Sequence, residues 1–412
     1  MFSRREFLRA GLRSSTLVAL VPTIPGFLAD TARAAEATRD GRVLVVIKLD
    51  GGNDGINTVV PFKDEGYAKY RRELRLPANR LHKINDELGL HPSMGDAARL
   101  LESGRLAIVQ GVSYPNPSRS HFRSMTIWHS ARVDLPRFNE DVVAEQDKAV
   151  LGWIGRALDE DRKPVDGSPG AVFVGTGAMP VALRSRRSTA SAMTRPEDSV
   201  LMPGVDAKSA VTSPGAGQDL AAFVRRSTLD AYATSERMAE VVRARDAGAR
   251  YPATALAERL RVIARLLKGG MGTRVFYTSQ KTYDTHYAQL PTHADLLGEL
   301  SGALRAFLDD LAAARLAERV TVLCFSEFGR RVRENGSLGT DHGTAGPVFL
   351  VGPCVKAGLV GEAPRLLDLQ GGDLKMKVDF RSVYAGVLED WLGLPGKPAL
   401  GGDFGKLSLF RT

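Results

Sequence analysis

Short apolar runs, each ending in a polar or glycine-rich turn, limit what this chain can fold into. Val43-Leu44-Val45-Val46-Ile47 leads into Lys48-Leu49-Asp50-Gly51-Gly52, residues 106–109 into Gly111 and a proline-rich loop, and Ala171–Val174 into Gly175. Val275-Phe276-Tyr277 precedes a polar loop with Asp284 and His286, Val320–Phe325 runs into Ser326-Glu327, and residues 348–351 precede Gly352-Pro353. None of these runs alternates apolar with polar residues as a half-exposed strand would. They read as strands buried on both faces, as in parallel sheets. Residues 92–103 and 294–315 carry apolar side chains at three- and four-residue spacing, the period of a helix with one buried face. Strand alternating with helix over this length implies a doubly wound α/β fold with a largely parallel sheet. Residues 132–170 and 184–252 are charged, Ser/Pro/Gly-rich and weakly periodic. Together with a helical part around 217–268 they read as an insertion or cap at about 132–270.

The N-terminus serves another purpose. Ser3-Arg4-Arg5-Glu6-Phe7-Leu8 sets paired arginines before an apolar pair, and a mildly apolar run follows from Ser15 to Ala29. Ala32-Arg33-Ala34 then offers a small-x-small cleavage pattern before Ala35. Charged region, short apolar region and cleavage site make a secretory signal, and the paired arginines mark the twin-arginine variety. Pro22, Pro25 and Gly26 weaken the alternative, an N-terminal helix of the mature fold. The expectation is a signal peptide at 1–34 and a single α/β domain at 35–412. The twin-arginine translocase and a signal peptidase would be its partners, and the folded chain would reach the periplasm or the exterior. No later run of ~20 apolar residues exists to span a bilayer.

The net charge of +9 is not gathered into a basic stripe interleaved with aromatics, which argues against a nucleic-acid partner. Two cysteines cannot staple a chain of 412 residues, so Cys324 and Cys354 read as core side chains.

Open α/β sheets bind ligands outside the carboxyl ends of their strands. Asp50, Glu327, Asp284 and His286 follow predicted strands there, and Asp341-His342 come just before one. Ser120 and His121 sit after the strand at 106–109, at the start of the helical stretch SHFRSMTIW. Carboxylate with imidazole and no thiolate suits one or two divalent ions, Zn or Mn above others. A serine at a helix start faces the positive end of the helix dipole, which favours its alkoxide. Two ions about 3.5–4 Å apart would clamp the entering and leaving oxygens of a phosphoryl-like transfer. Each residue also has a plainer reading. Asp50-Gly51-Gly52-Asn53-Asp54 has the composition of a turn, Asp341-His342-Gly343 could cap a helix, and a single histidine is commonly just a satisfied polar group. The joint pattern tips the balance, because His121, His286, His293 and His342 are four of only seven histidines.

The segments LDGGNDGINTVVP, YPNPSRSHFRSMTIW, YDTHYAQLPTHADLL, CFSEFGRRVRENGSLGTDHGTAGPVFLVG and VDFRSVYAGVLEDWLG resemble the bacterial exported family called domain of unknown function 1501. The resemblance runs over about 41–395 and is weakest across 132–270. That family is in turn similar to the alkaline phosphatase/sulfatase/phosphoglycerate mutase superfamily, which implies a doubly wound α/β fold of the alkaline-phosphatase-like type with two metals. Carried over, the resemblance implies Asp50 as first metal-binding aspartate and Ser120 as nucleophile, with Ser118 as a lesser choice. It implies Asp284 and His286 at one metal, His293 as an alternative, and His342 as the histidine before a late strand. The superfamily's Asp-His pair after the penultimate strand corresponds to Glu327-Phe328, and Phe328 has no lone pair to donate. The second ion would then lose a ligand unless Asp54 or Asp341 supplies one. Pro115 stands where a formylglycine precursor would, which argues against that sulfatase chemistry. Two readings follow: a metal-dependent hydrolase of phosphate or sulfate esters using a serine nucleophile, acting on a small anionic ester, or a catalytically degenerate envelope binding or assembly protein on the same fold.

Overall fold

The computed structural model describes residues 41–135, 150–161, 168–194, 241 and 249–411. The signal-peptide reading at 1–34 lies outside them, as does most of the 195–248 stretch. Residues Arg42–Thr412 make one compact unit.

Among the described residues nine strands form the main sheet: β1 (Val43–Leu49), β2 (Leu106–Ser113), β3 (Ala171–Val174), β4 (Ala190–Met193), β5 (Val275–Gln280), β6 (Val320–Phe325), β7 (Gly346–Val351), β8 (Gly358–Val360) and β9 (Val378–Asp379). Their order is β8-β2-β7-β6-β1-β5-β3-β4, with β9 also pairing with β2. β1 lies between β5 and β6 and is parallel to both. Its alternate residues enter two different cores, Val43, Val45 and Ile47 on one side and Leu44 and Val46 on the other. All five are at most 3% exposed, which is why the sequence shows an unbroken apolar run.

The first core lies beneath α1 (Gly95–Glu102), α4 (Ala255–Lys268) and α5 (Gln289–Ala313). α5 places Leu297, Leu300, Leu304, Phe307, Leu308 and Leu311 on one buried stripe, at the spacing a helix demands. α4 starts at Thr254, whose side-chain oxygen accepts the Ala257 N–H at 3.3 Å. The second core lies beneath α2 (His121–Ser130), α3 (Trp153–Asp159) and α6 (Phe380–Gly386). Trp128 of α2 stacks on Phe325 and Phe380, at centroid distances of 4.9 and 4.5 Å, and so fixes the helix against β6.

The mixed α/β architecture with a large, mostly parallel sheet is as expected, with two differences. β7 runs antiparallel to both β2 and β6. An apolar run reads the same in either direction, so composition could not reveal this. The consequence is functional, because residues ahead of β7 arrive at the rim where the other strands end. The described parts of the 132–270 stretch also belong to the domain's own layers: β3 and β4 are hydrogen-bonded into the sheet, and α3 and α4 pack over its two faces. β4 is the edge strand, with sequence ASAM and mostly part-exposed, so it carries neither a β-branched run nor clean alternation.

Cys324 is buried, Cys354 is half-buried, and both are free. Among the described residues no helix is long and apolar enough to cross a membrane.

Candidate metal centre

Three loops meet at the carboxyl rim around one carboxylate, that of Asp284. The first follows β5, where Gly51 makes the approach of the β1 loop feasible. Its φ of +123° and the 2.4 Å between a would-be Cβ and the Asp284 amide nitrogen leave room for no side chain. Asp50 closes this corner through its backbone, whose carbonyl accepts the Tyr283 N–H at 3.1 Å.

The second loop precedes α2. Ser120 is the N-cap, its side-chain oxygen accepting the Arg123 N–H at 3.5 Å. His121 therefore begins the helix with its ring turned toward the rim. Its Nδ1–H donates to Glu327 Oε1 at 2.8 Å, and Ser124 Oγ donates to the Glu327 carbonyl at 2.5 Å. The third loop runs from β6 to β7. Within it, His342 donates from Nδ1 to the Arg119 carbonyl at 2.8 Å. From the first loop, His286 directs Nδ1 to Asp341 Oδ1 at 3.3 Å.

Each imidazole thus has its Nδ1 against an oxygen that can only accept, a carbonyl or an ionised carboxylate. That arrangement puts the proton on Nδ1 and leaves the Nε2 lone pair free. All three Nε2 atoms then turn to Asp284: His286 and His342 lie 3.0 Å from Oδ1, and His121 lies 3.4 Å from Oδ2. His286 Nε2 and His342 Nε2 are 2.9 Å apart, two lone pairs facing each other. His121 Nε2 is buried without a hydrogen-bond partner. Left so, a buried acceptor costs about 1–3 kcal/mol.

A divalent cation resolves these mismatches. The ligand atoms of His121, Asp284 and His342 all lie within 4.8 Å of one another, compatible with bonds of about 2.0–2.2 Å to one ion. Carboxylates and carbonyls behind the rings are the usual means of orienting metal-bound histidines. Protonation states agree at Asp284 and His342. Burial works to raise the Asp284 pKa, but the hydrogen bond and charge of Arg330 beside it hold it at about 2. Burial, aided by the Arg330 charge, lowers the His342 pKa and so favours its neutral form. The hydrogen bond to Glu327 raises that of His121 against the effect of burial.

The expected residues divide accordingly. Asp284, His286 and His342 come together, and His121 joins them directly. Glu327, expected as a ligand, stands behind His121 instead. Its Oε1 accepts from His121 and from the Gly51 N–H at 3.0 Å, and its Oε2 from Ser326 Oγ at 3.1 Å, so its oxygens are already engaged. Asp341 plays the same part behind His286. The Asp50 carboxylate pairs with Lys48 at 3.1 Å, and among the described residues no hydrogen bond joins it to the imidazoles. Lys48 and Asp50 point the same way because they are two residues apart at a strand end. Asp54 is fully buried, held by Arg71 at 2.5 and 2.9 Å and by Gln289 at 2.6 Å. Burial raises its pKa, yet Arg71 brings it down to about 2. His293 belongs to the same buried network through Asn53 at 3.0 Å. Ser120 is exposed at the lip, and Ser118 accepts the Ser120 N–H at 3.2 Å.

The sequence reading missed Arg330. Its side chain is wholly buried and donates to the carbonyls of Gly51, Gly52, Tyr283 and Thr340 and to Asp284 Oδ1 at 2.7 Å. Nothing in Gly329-Arg330-Arg331 says which arginine turns inward. Beside the cluster, Tyr114, Pro115, Arg119, Thr344, Asp373 and Lys375 help line a cleft of about 680 Å³.

A family model described as "Protein of unknown function (DUF1501)" matches residues 41–389. The chain belongs to the DUF1501 family. No curated protein matches it. Several solved structures are distantly similar. Murine ectonucleotide pyrophosphatase/phosphodiesterase 5 is 10% identical over 87% of this chain and 96% of its own, with a TM-score of 0.42. The PsFucS1 sulfatase from Pseudoalteromonas sp. is 12% identical over 90% and 72%, with a TM-score of 0.40. The lipoteichoic acid synthase LtaP from Listeria monocytogenes is 8% identical over 82% and 75%, with a TM-score of 0.38.

Proposed function

We propose that this DUF1501 protein is exported by the twin-arginine route and hydrolyses phosphate or sulfate esters with the help of a divalent ion, Zn or Mn, at the rim cluster. The observation that carries this reading is the convergence of the His121, His286 and His342 Nε2 atoms on Asp284. Three imidazoles and one carboxylate are a donor set for Zn or Mn. A bound ion would supply Lewis-acid polarisation of the ester and lower the pKa of a nearby hydroxyl.

The chain's own groups account for the rest. Ser120 is exposed beside His121, and the carbonyl of its neighbour Arg119 accepts from His342, which ties this segment of backbone to the cluster. Attack by Ser120 Oγ on phosphorus or sulfur would form the Oγ–P or Oγ–S bond and break the bond to the ester oxygen, releasing the alcohol. Water would then cleave the serine ester and return free phosphate or sulfate. The adjoining cleft carries Arg119, paired with Asp373, and Lys375, paired with Asp368, in its wall, and an anionic substrate would compete with those carboxylates for the two cations.

A second reading has one observation in its favour. Phe328 is 3% exposed, and its ring sits 4.9 Å from that of His121 and 4.8 Å from that of His342. An apolar ring against two of the imidazoles fits a protein that keeps the fold and has lost catalysis. Hydrolysis of generic phosphomonoesters, phosphodiesters and sulfate esters by the metal-loaded protein separates the two. The hydrolase reading expects turnover that drops at least about 1,000-fold in Ser120→Ala. Metal-loaded protein without turnover on any of the three classes favours the scaffold, and turnover indifferent to Ser120→Ala removes the serine from the mechanism.

A further inference from the structure

We propose that Arg330 is a built-in counter-cation that restricts the rim cluster to a single divalent ion per chain. This inference rests on the metal-centre reading above and goes beyond it by fixing the number of ions and naming the group that sets it.

The geometry is specific. The guanidinium lies beneath the cluster with no exposed surface, so it cannot reach a substrate. Nε donates to the Gly52 carbonyl at 2.6 Å, and Nη1 donates to the Thr340 carbonyl at 2.8 Å. Nη2 donates to the Gly51 and Tyr283 carbonyls, the latter at 3.0 Å, and to Asp284 Oδ1 at 2.7 Å. Nη1 also approaches His286 Nε2 at 3.4 Å. Backbone carbonyls from three loops thus surround a planar cation, and its fork meets two of the groups that would bind metal. Arginine stays ionised in proteins, so this charge is permanent.

Two consequences follow from the charge. A second dication near the Asp284 carboxylate would meet, at close range, a fixed positive group that is itself wholly buried and so cannot swing away into solvent. Two of the carboxylates that a second ion could use are also taken. Glu327 is spent on His121, Gly51 and Ser326, and Asp54 is locked to Arg71 and Gln289. Phe328 contributes only hydrocarbon to the same wall. One ion and one guanidinium therefore take the place of two ions.

Metal content of the exported, full-length protein tests this, using Mn2+ as the probe. Protein equilibrated with excess Mn2+ and freed of loose metal should hold one ion per chain by elemental analysis. Its electron paramagnetic resonance spectrum should be that of an isolated ion, without the exchange-coupled signal of a pair. Two tightly held ions per chain would overturn the proposal while leaving the metal-centre reading intact; no retained ion would overturn both. Arg330→Gln then asks whether the side chain acts through its charge. With folding verified by circular dichroism, it should bind Mn2+ at least tenfold more tightly or take up a second ion. If Arg330 merely props the loops apart, the variant should bind Mn2+ more weakly, and that result would refute the charge role.

Discussion

Two polar assemblies sit a few residues apart in this protein and use the same side-chain types to opposite ends. At the rim, Asp284 meets His121, His286, His342 and Arg330. Behind it, Asp54 meets Arg71 and Gln289, with His293 joined through Asn53. In the inner assembly the acceptors are met: Arg71 reaches both oxygens of Asp54 and donates to the carbonyls of Val332 and Arg331, and the unmet group there, Asn53 Nδ2, is a donor. At the rim acceptors are in surplus, because the His286 and His342 Nε2 lone pairs face each other and that of His121 has no hydrogen-bond donor among the described residues. Residue type distinguishes the two poorly. The surplus of acceptors, together with exposure, is what marks a place prepared for a cation.

The largest effect should come from the inner assembly. Asp54→Ala leaves the Arg71 guanidinium buried and uncompensated, and should cost about 3–5 kcal/mol of stability by chemical denaturation. Metal affinity in the folded fraction should change little. A loss of metal without loss of stability would show that the two assemblies have been assigned the wrong way round. Asp284→Ala should act first on the metal: Mn2+ affinity measured by titration calorimetry falls at least about 100-fold, and the stability loss is smaller than for Asp54→Ala because the buried Arg330 guanidinium keeps four backbone carbonyls when this 46% exposed carboxylate is removed.

An effect smaller per residue separates the histidines by pH. Burial lowers the His293 and His91 pKa values to about 4 and that of His129 to about 3, from an ordinary 6.5. The unfolded chain therefore binds protons that the folded chain refuses, and stability falls as pH drops from about 6.5 toward 4. The loss should be on the order of 1–2 kcal/mol per histidine by pH 5. Denaturant midpoints at pH 7 and pH 5 measure it. Unchanged midpoints would mean that the inner histidines reach solvent and that the contrast between the assemblies is false.

Much of the sheet could be read before any coordinates existed. β1, β2, β5 and β6 are buried on both faces, so their apolar runs are continuous and their ends sharp. β4 was not legible, since a short edge strand of Ala and Ser carries no period. At the rim, a histidine or carboxylate after a strand points to Asp284 and His286, and the structure brings His342 beside them although its strand runs the other way. Position along the chain could not rank them as ligand or support. That depends on which partner claims each oxygen: Lys48 claims that of Asp50, and His121 with Gly51 claims that of Glu327. His293 misled for a related reason. It lies in the first turns of α5, directed into the protein rather than along the rim.

The β6–β7 connection has a mechanical consequence. Arg330 and His342 are paired backbone to backbone, with Gly343 N–H on the Gly329 carbonyl at 2.9 Å and Gly329 N–H on the Thr344 carbonyl at 2.8 Å. Gly343 permits this closeness, since a Cβ there would lie 2.4 Å from the Arg330 carbonyl carbon. The guanidinium and the imidazole are thus welded into one stiff hairpin and cannot separate on their own. Any gape that admits a bulky molecule must be hinged elsewhere, in the stretch carrying Asp284 and His286 or the one leading to Ser120.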